Sequence, residues 1–290
     1  MIDYLIDIDS NRIDFYTPLR SMRSPSSGIL GVINVDWSTS PEVRRVVVIT
    51  GAGQGLGRAY ALMFGARNHV VVAMDLNEVA VNAVASEIRE AGGECLPLVV
   101  DVGNANAVED AVQRIDKHYG RADVLVNNAA VFSTLQMRPF EEIPLDEWSR
   151  VLHVNVTGTF LMTRALSPLM RRQKWGRVIN VSSAAAVMGR PHYLHYTTSK
   201  AAVIGMTRSM ARELGPDGIT VNAVLPGATD IEIPRQTVTP AQKQAQIAMR
   251  CIQREANVDD LTGTVAFLAS DESRFISGQS FVVDGGLVFL

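Results

Sequence analysis

The chain has 290 residues, 47% hydrophobic and 20% charged, with a formal charge of −3 and an isoelectric point near 6.0. That allows a sizeable core, and without a basic field nucleic acid is not expected as the main partner. Cys95 and Cys251 are too few for a disulfide framework, no Cys/His cluster has zinc-ligand spacing, and no apolar run is long enough to span a membrane. The start, MIDYLIDIDSNRID, is acidic where a secretory signal is basic, so the expected compartment is the cytoplasm.

Residues 1–43 show no sustained period and hold two Ser/Pro-rich stretches, SMRSPSSG and WSTSPE. They read as an N-terminal extension, with a start further down, for example at Met22, as the alternative. From Arg44 onward strands and helices alternate. A β-branched run at 46–49 leads into TGAGQGLG, residues 50–57, and then a helix over 55–66. Glycines 51, 55 and 57 let the backbone turn sharply and approach a pyrophosphate, with the helix N-terminus supplying N–H groups. A second strand at 70–74 ends in Asp75, followed by Leu76. A carboxylate there accepts hydrogen bonds from an adenosine ribose and repels a 2′-phosphate. Gln54 and Leu76 are not basic, and Arg58 is the nearest cation. The charge balance favours NAD over NADP.

A helix over 77–91 and a strand at 96–100 precede Asp101 and Val102, placed to touch an adenine. A helix over 104–119 stops at Gly120, and a strand at 124–126 runs into NNAA, where small Ala129 and Ala130 admit a cofactor to the backbone. Asn127 and Asn128 read as ties between strand ends. A long helix over 145–172 contains Asn155 and Gly158, both poor mid-helix residues. A kink holding a water against the asparagine would explain them; a tolerated surface pair is the alternative. After the strand at 178–181 come Ser182 and Ser183, at the sheet edge where ligands bind. Ser183 can polarise a carbonyl or simply cap the next segment.

The helix over 193–214 opens with HYTTSKAA. Tyr196 and Lys200 lie one turn apart on one face. An ammonium beside a phenol favours the phenolate, which the phenol needs to exchange protons near neutral pH. His192 and His195, with no carboxylate near in sequence, read as lining a substrate entrance and not as a metal site. A strand at 220–224, the Pro226-Gly227 turn, a helix over 257–269 and a strand at 281–283 complete the pattern. The first six strands lack polar alternation, as in a parallel sheet covered on both faces. The expected fold is α/β: one Rossmann-type doubly wound parallel sheet of about seven strands over 44–290, with right-handed crossovers.

TGAGQGLG, NNAA, Asn155, Ser183, Tyr196-x-x-x-Lys200, Pro226-Gly227 and the terminal SGQSFVVDGG together resemble the short-chain dehydrogenase/reductase superfamily, over about residues 44–290. The resemblance implies the roles. Tyr196 would be the general acid/base, with Lys200 lowering its pKa and holding the nicotinamide ribose. Ser183 would orient the carbonyl or alcohol, and Asn155 would hold the water of a proton relay. Gly51, Gly55, Leu56, Gly57, Asp75, Leu76, Asp101, Val102, Asn128 and Ala129 would bind the dinucleotide, with Pro226, Gly227 and Thr229 at the nicotinamide. Three departures stand out: Ala130 replaces a glycine, Ile231 stands where the family often has threonine, and the extension has no counterpart.

The resemblance implies that three segments set specificity, VFSTLQMRPF, AAAVMGRPHYLH and DIEIPRQTVTPAQKQAQIAMR, of which the first two are mostly apolar. Those two suit a small apolar or aromatic secondary alcohol or ketone. Arg138 and Arg190 either meet an anionic substituent or are solvated. The branch that the chain resembles holds 3-oxoacyl-carrier-protein reductases and NAD-linked secondary alcohol dehydrogenases. The expectation is a homotetrameric NAD-dependent dehydrogenase; the alternatives are an NADPH-dependent 3-oxoacyl reductase and a non-catalytic NAD-binding regulator.

Overall fold

The Val/Ile runs of the central strands form the centre of the molecule because they are apolar on both faces. In the computed structural model, which describes residues 43–233 and 239–290, seven strands make one sheet. They are β1 (Val46–Thr50), β2 (Val70–Asp75), β3 (Glu94–Val99), β4 (Val124–Asn127), β5 (Gly176–Val181), β6 (Ile219–Pro226) and β7 (Ser280–Val283). The order is β3-β2-β1-β4-β5-β6-β7, with every pairing parallel. The expected strand number and sheet type are both found. Pro97, which cannot donate to a ladder, sits in edge strand β3, where that costs least. The extension read at 1–43 lies outside the described residues except for Val43.

Nine helices are found among the described residues: α1 (Gly55–Ala66), α2 (Glu78–Glu90), α3 (Ala105–Tyr119), α4 (Leu145–Leu152), α5 (Thr159–Arg172), α6 (Ala185–Met188), α7 (Leu194–Leu214), α8 (Pro240–Ala248) and α9 (Asp259–Ala269). Side chains alternate across each strand, so the sheet builds two cores. Val46, Val48, Val70 and Val72 pack with Ile115 of α3 and Leu166 and Met170 of α5. Val47, Ile49 and Val71 pack with Tyr60 and Phe64 of α1, Ile88 of α2 and Val265 of α9. Buried polar pegs tie the layers together. Asn127 Nδ2 donates to Asn180 Oδ1 at 2.9 Å and to Thr163 Oγ1 at 3.0 Å. Asn180 Nδ2 in turn donates to Thr207 Oγ1 of α7 at 2.9 Å.

The helix read at 145–172 is not continuous. Residues His153–Gly158 form a π-helical turn between α4 and α5. Asn155 and Gly158 are both buried there, so the surface-pair alternative is excluded. Helices α6 and α8 were not expected from the sequence. The chain runs outward from β1 to β3 and returns to β4 beside β1, which opens a crevice at the carboxyl ends of these two strands.

Candidate active site

A cleft of about 370 Å³ occupies that crevice. Of the residues given catalytic or cofactor-binding roles from the sequence, all line it except Gly57 and Asn155. One end is the glycine turn. Gly51 and Gly55 have φ of +63° and +57°, which L side chains rarely adopt. Gly57 works by absence: a Cβ there would lie 1.9 Å from Gly51 O. Helix α1 starts at Gln54 with no side-chain cap and no acidic residue in its first turn. Its positive end and the first-turn N–H groups, of which Gly55 N–H is held by Glu232, suit a diphosphate.

Asp75 stands beside the turn. Its Oδ2 accepts from Gly53 N–H and its Oδ1 from Asn77 N–H, each at 2.9 Å. Each carboxylate oxygen keeps a lone pair for a further donor. Arg58 forms an ion pair with Glu87 on α2. Leu76 is exposed at the mouth, and Asp101 and Val102 line the same end. Asn128 Nδ2 donates to Thr50 O and Gly51 O at 3.1 Å, and Ala129 N–H donates to Thr50 Oγ1 at 3.0 Å. The asparagine thus fixes the glycine turn while it lines the cleft. At the far side a Cβ on Gly227 would fall 2.6 Å from Asp284 Cβ. Thr229 is buried, and its hydroxyl donates to Gly227 O at 3.2 Å.

The other end holds Ser183, Tyr196 and Lys200. Helix α7 places the tyrosine and lysine on one face, with Lys200 Nζ 5.8 Å from the Tyr196 ring centroid. Lys200 is 3% exposed and donates to Val181 O at 2.7 Å. Burial disfavours its charged form and pulls the ammonium down to about 8. Ser183 Oγ accepts from Ala185 N–H, at the start of the short α6, at 3.2 Å. Its own proton stays available to a substrate oxygen. Tyr196 packs against Phe132 and Tyr193, at 4.9 and 5.1 Å between ring centroids.

Asn155 sits behind these groups. Its Oδ1 accepts from Val131 N–H at 2.8 Å, and its Nδ2 donates to Ser199 Oγ at 3.0 Å. Ser199 Oγ donates to Tyr196 O at 2.7 Å. The π turn therefore places one amide between the loop after β4 and the backbone of the tyrosine.

The histidine reading needs correction. His192 precedes α7 with φ of +61°, so the two imidazoles share no helix face. His195 is fully buried, with Nε2 3.3 Å from Glu147 Oε1 on α4. It lines no entrance, because a carboxylate distant in sequence is adjacent in the fold. Among the described residues no Cys/His/Asp/Glu group could hold a metal.

The sequence marks 230–250 as a specificity segment and Ile231 within it, but singles out neither Glu232 nor Gln246 there, nor Leu287 beyond it. Gln246 of α8 and Leu287 line the cleft. Glu232 Oε1 accepts Gly55 N–H at 2.7 Å, and Ile231 and Ile233 lie against that glycine. A carboxylate of this chain thus sits on the free end of α1.

Residues 51–288 match the family described as "Enoyl-(Acyl carrier protein) reductase". A 3-oxoacyl-[acyl-carrier-protein] reductase of Synechocystis sp. is 40% identical over 249 residues, 84% of this chain and 97% of that protein. A (2S)-[(R)-hydroxy(phenyl)methyl]succinyl-CoA dehydrogenase subunit of Thauera aromatica is 37% identical over 83% of this chain and 96% of its own. Among solved structures, a 3-oxoacyl-[acyl-carrier protein] reductase from Brucella melitensis aligns with a TM-score of 0.80 at 35% identity, covering 86% of this chain and 94% of that one. An NAD+-bound xylitol dehydrogenase aligns with a TM-score of 0.78 at 32% identity, covering 83% and 98%. The chain belongs to the short-chain dehydrogenase/reductase superfamily, near the 3-oxoacyl-carrier-protein reductases. It is an oxidoreductase acting on CH–OH groups.

Proposed function

We propose that this enzyme is an NAD-dependent dehydrogenase of secondary alcohols, or reductase of the matching ketones, with a small apolar or aromatic body. The observation that carries the cofactor choice is Asp75, which lines the cleft at the end of β2 while Arg58 is paired with Glu87. A carboxylate in that place favours a free ribose hydroxyl over a 2′-phosphate.

The turn at Gly51, Gly55 and Leu56 would hold the diphosphate, Asp75 and Leu76 the adenosine ribose, and Asp101 and Val102 the adenine. Asn128, Ala129, Pro226, Gly227 and Thr229 would hold the nicotinamide half. When bound, the dinucleotide supplies or accepts the hydride. Tyr196 would move the proton at the carbinol oxygen, with the Lys200 ammonium favouring its phenolate. Ser183 would donate to that oxygen. Asn155 would serve the same step by holding Ser199 and, through it, the Tyr196 backbone. The substrate body would lie along Phe132, Met188 and Tyr196, with Leu135 and Tyr193 packed behind them.

A second reading, NADPH-dependent reduction of 3-oxoacyl thioesters, is supported by relatives bearing that name at 40% and 36% identity. A non-catalytic NAD-binding regulator would have no need of Ser183, Tyr196 and Lys200 in one cleft. We also infer a homotetramer, in which the exposed Phe289 and Leu290 would be covered, and a cytoplasmic location.

Titration of the purified protein with NADH and NADPH, followed by nicotinamide fluorescence, tests the cofactor. Tight NADH and weak NADPH is the expected result, and the reverse sinks the reading. Asp75→Ala should relax the preference by about tenfold. Unchanged discrimination would remove Asp75 from the ribose.

A further inference from the structure

The cleft is electrically uneven. Its adenosine end carries Asp75 and Asp101, while the only cations lining it among the described residues are Lys200 and Arg190. Lys200 is engaged with Val181 O. Arg190 is half-buried, and its contacts among the described residues are a ring and a thioether, not a carboxylate. Its guanidinium lies 5.3 Å from the Tyr193 ring centroid, and Nη2 lies 3.5 Å from Met137 Sδ. A ring face and a thioether leave most of its five N–H donors, and its charge, unanswered. The other loop arginine differs: Arg138 Nη2 donates to Gln136 Oε1 at 3.2 Å and lies 3.9 Å from Glu147.

The position is informative. Arg190 and Tyr196 both lie against the Tyr193 ring, the guanidinium 5.3 Å from its centroid and the Tyr196 ring tilted on it at 5.1 Å. A ligand with its carbinol oxygen at Tyr196 would reach the guanidinium across one aromatic ring, along Phe132 and Met188. A planar guanidinium in a partly desolvated wall is suited to a carboxylate, which it binds through two parallel hydrogen bonds.

We propose that the substrate is a keto or hydroxy acid anion: a secondary alcohol or ketone joined by a short apolar spacer to a carboxylate that Arg190 receives. This rests on the dehydrogenase reading above and narrows its substrate class.

The test needs no knowledge of the natural substrate. The enzyme–NADH complex is titrated by calorimetry with 4-phenylbutanoate and with 4-phenylbutanamide, which differ only in the anionic end. The carboxylate is expected to bind about 10- to 100-fold tighter, the span of a charge-assisted hydrogen bond. Arg190→Met should erase the difference, and Arg190→Lys should keep part of it. NADH binding by each variant reports that it is folded. Equal affinity for acid and amide, a preference that survives Arg190→Met, or no binding of either compound would overturn the proposal. If the wild-type protein takes up neither NADH nor NADPH, the dehydrogenase reading itself fails, and that outcome is visible before any acid is added.

Discussion

Replacing Lys200 by methionine isolates what it costs to keep a charge in this cleft. The side chain is 3% exposed, and burial pulls its ammonium to about 8, against 10.5 for a free lysine. Below pH 8 both folded and unfolded chains carry the proton, and the burial cost is fully present. Between 8 and 10.5 the unfolded chain holds a proton that the folded chain has released, so stability rises with pH. At about 1.4 kcal/mol per pH unit the full swing is about 3 kcal/mol. Methionine removes that swing but leaves Val181 O without its donor, a loss of about 1–3 kcal/mol. At pH 7 the variant should therefore equal the wild type or exceed it by up to about 2 kcal/mol. By pH 9.5 the wild type should have recovered about 2 kcal/mol relative to it, roughly 4–8 °C in Tm for a chain of this size. Thermal melts of both proteins without cofactor, from pH 7 to 9.5, give the difference curve. A curve flat in pH would refute the argument, because the buried titrating group would then not be Lys200.

Tyr196→Phe should lower kcat by about 10²–10⁴-fold while NADH binding persists; steady-state kinetics beside a fluorescence titration decide it, and a variant with near-native turnover removes the tyrosine from the proton step. Gly57→Ala should abolish cofactor binding, since its Cβ has no room beside Gly51 O; native-like NADH affinity in a folded variant would show that the turn can yield. Glu232→Gln should tighten NADH binding about 3- to 10-fold by removing an anion from the Gly55 N–H. An unchanged or weaker Kd would mean that the carboxylate does not compete with the diphosphate.

The sheet was legible because most strands are short runs rich in Val and Ile, separated by helical segments; α1 begins and ends where the pattern does. Pocket residues near the glycine turn were legible for a related reason, since turn, strand end and helix start are contiguous in sequence. Failures came where geometry depends on distant partners. His195 was misread because Glu147 is far off in the chain. Helix α6 has only four residues, too few to show a period. Helix α8 is polar, yet its capping box, Thr239 with Gln242, was a readable start signal. Glu232 on the end of α1 joins two loops that no local pattern connects.

The π turn at His153–Gly158 has a consequence for how this chain tolerates change. Helix α4 turns Val151 toward the apolar cluster around Tyr196 and Glu147 toward His195. Helix α5 turns Leu166 and Met170 toward the sheet and Thr163 toward Asn127. The bulge between them sets the angular phase of one face against the other. An α-helix rotates about 100° per residue, so losing a single residue there would swing one set of contacts out of register. Substitutions in the turn should act locally, whereas a one-residue deletion should leave an insoluble chain; a soluble deletion variant with native turnover would show that the two helices are not phase-locked.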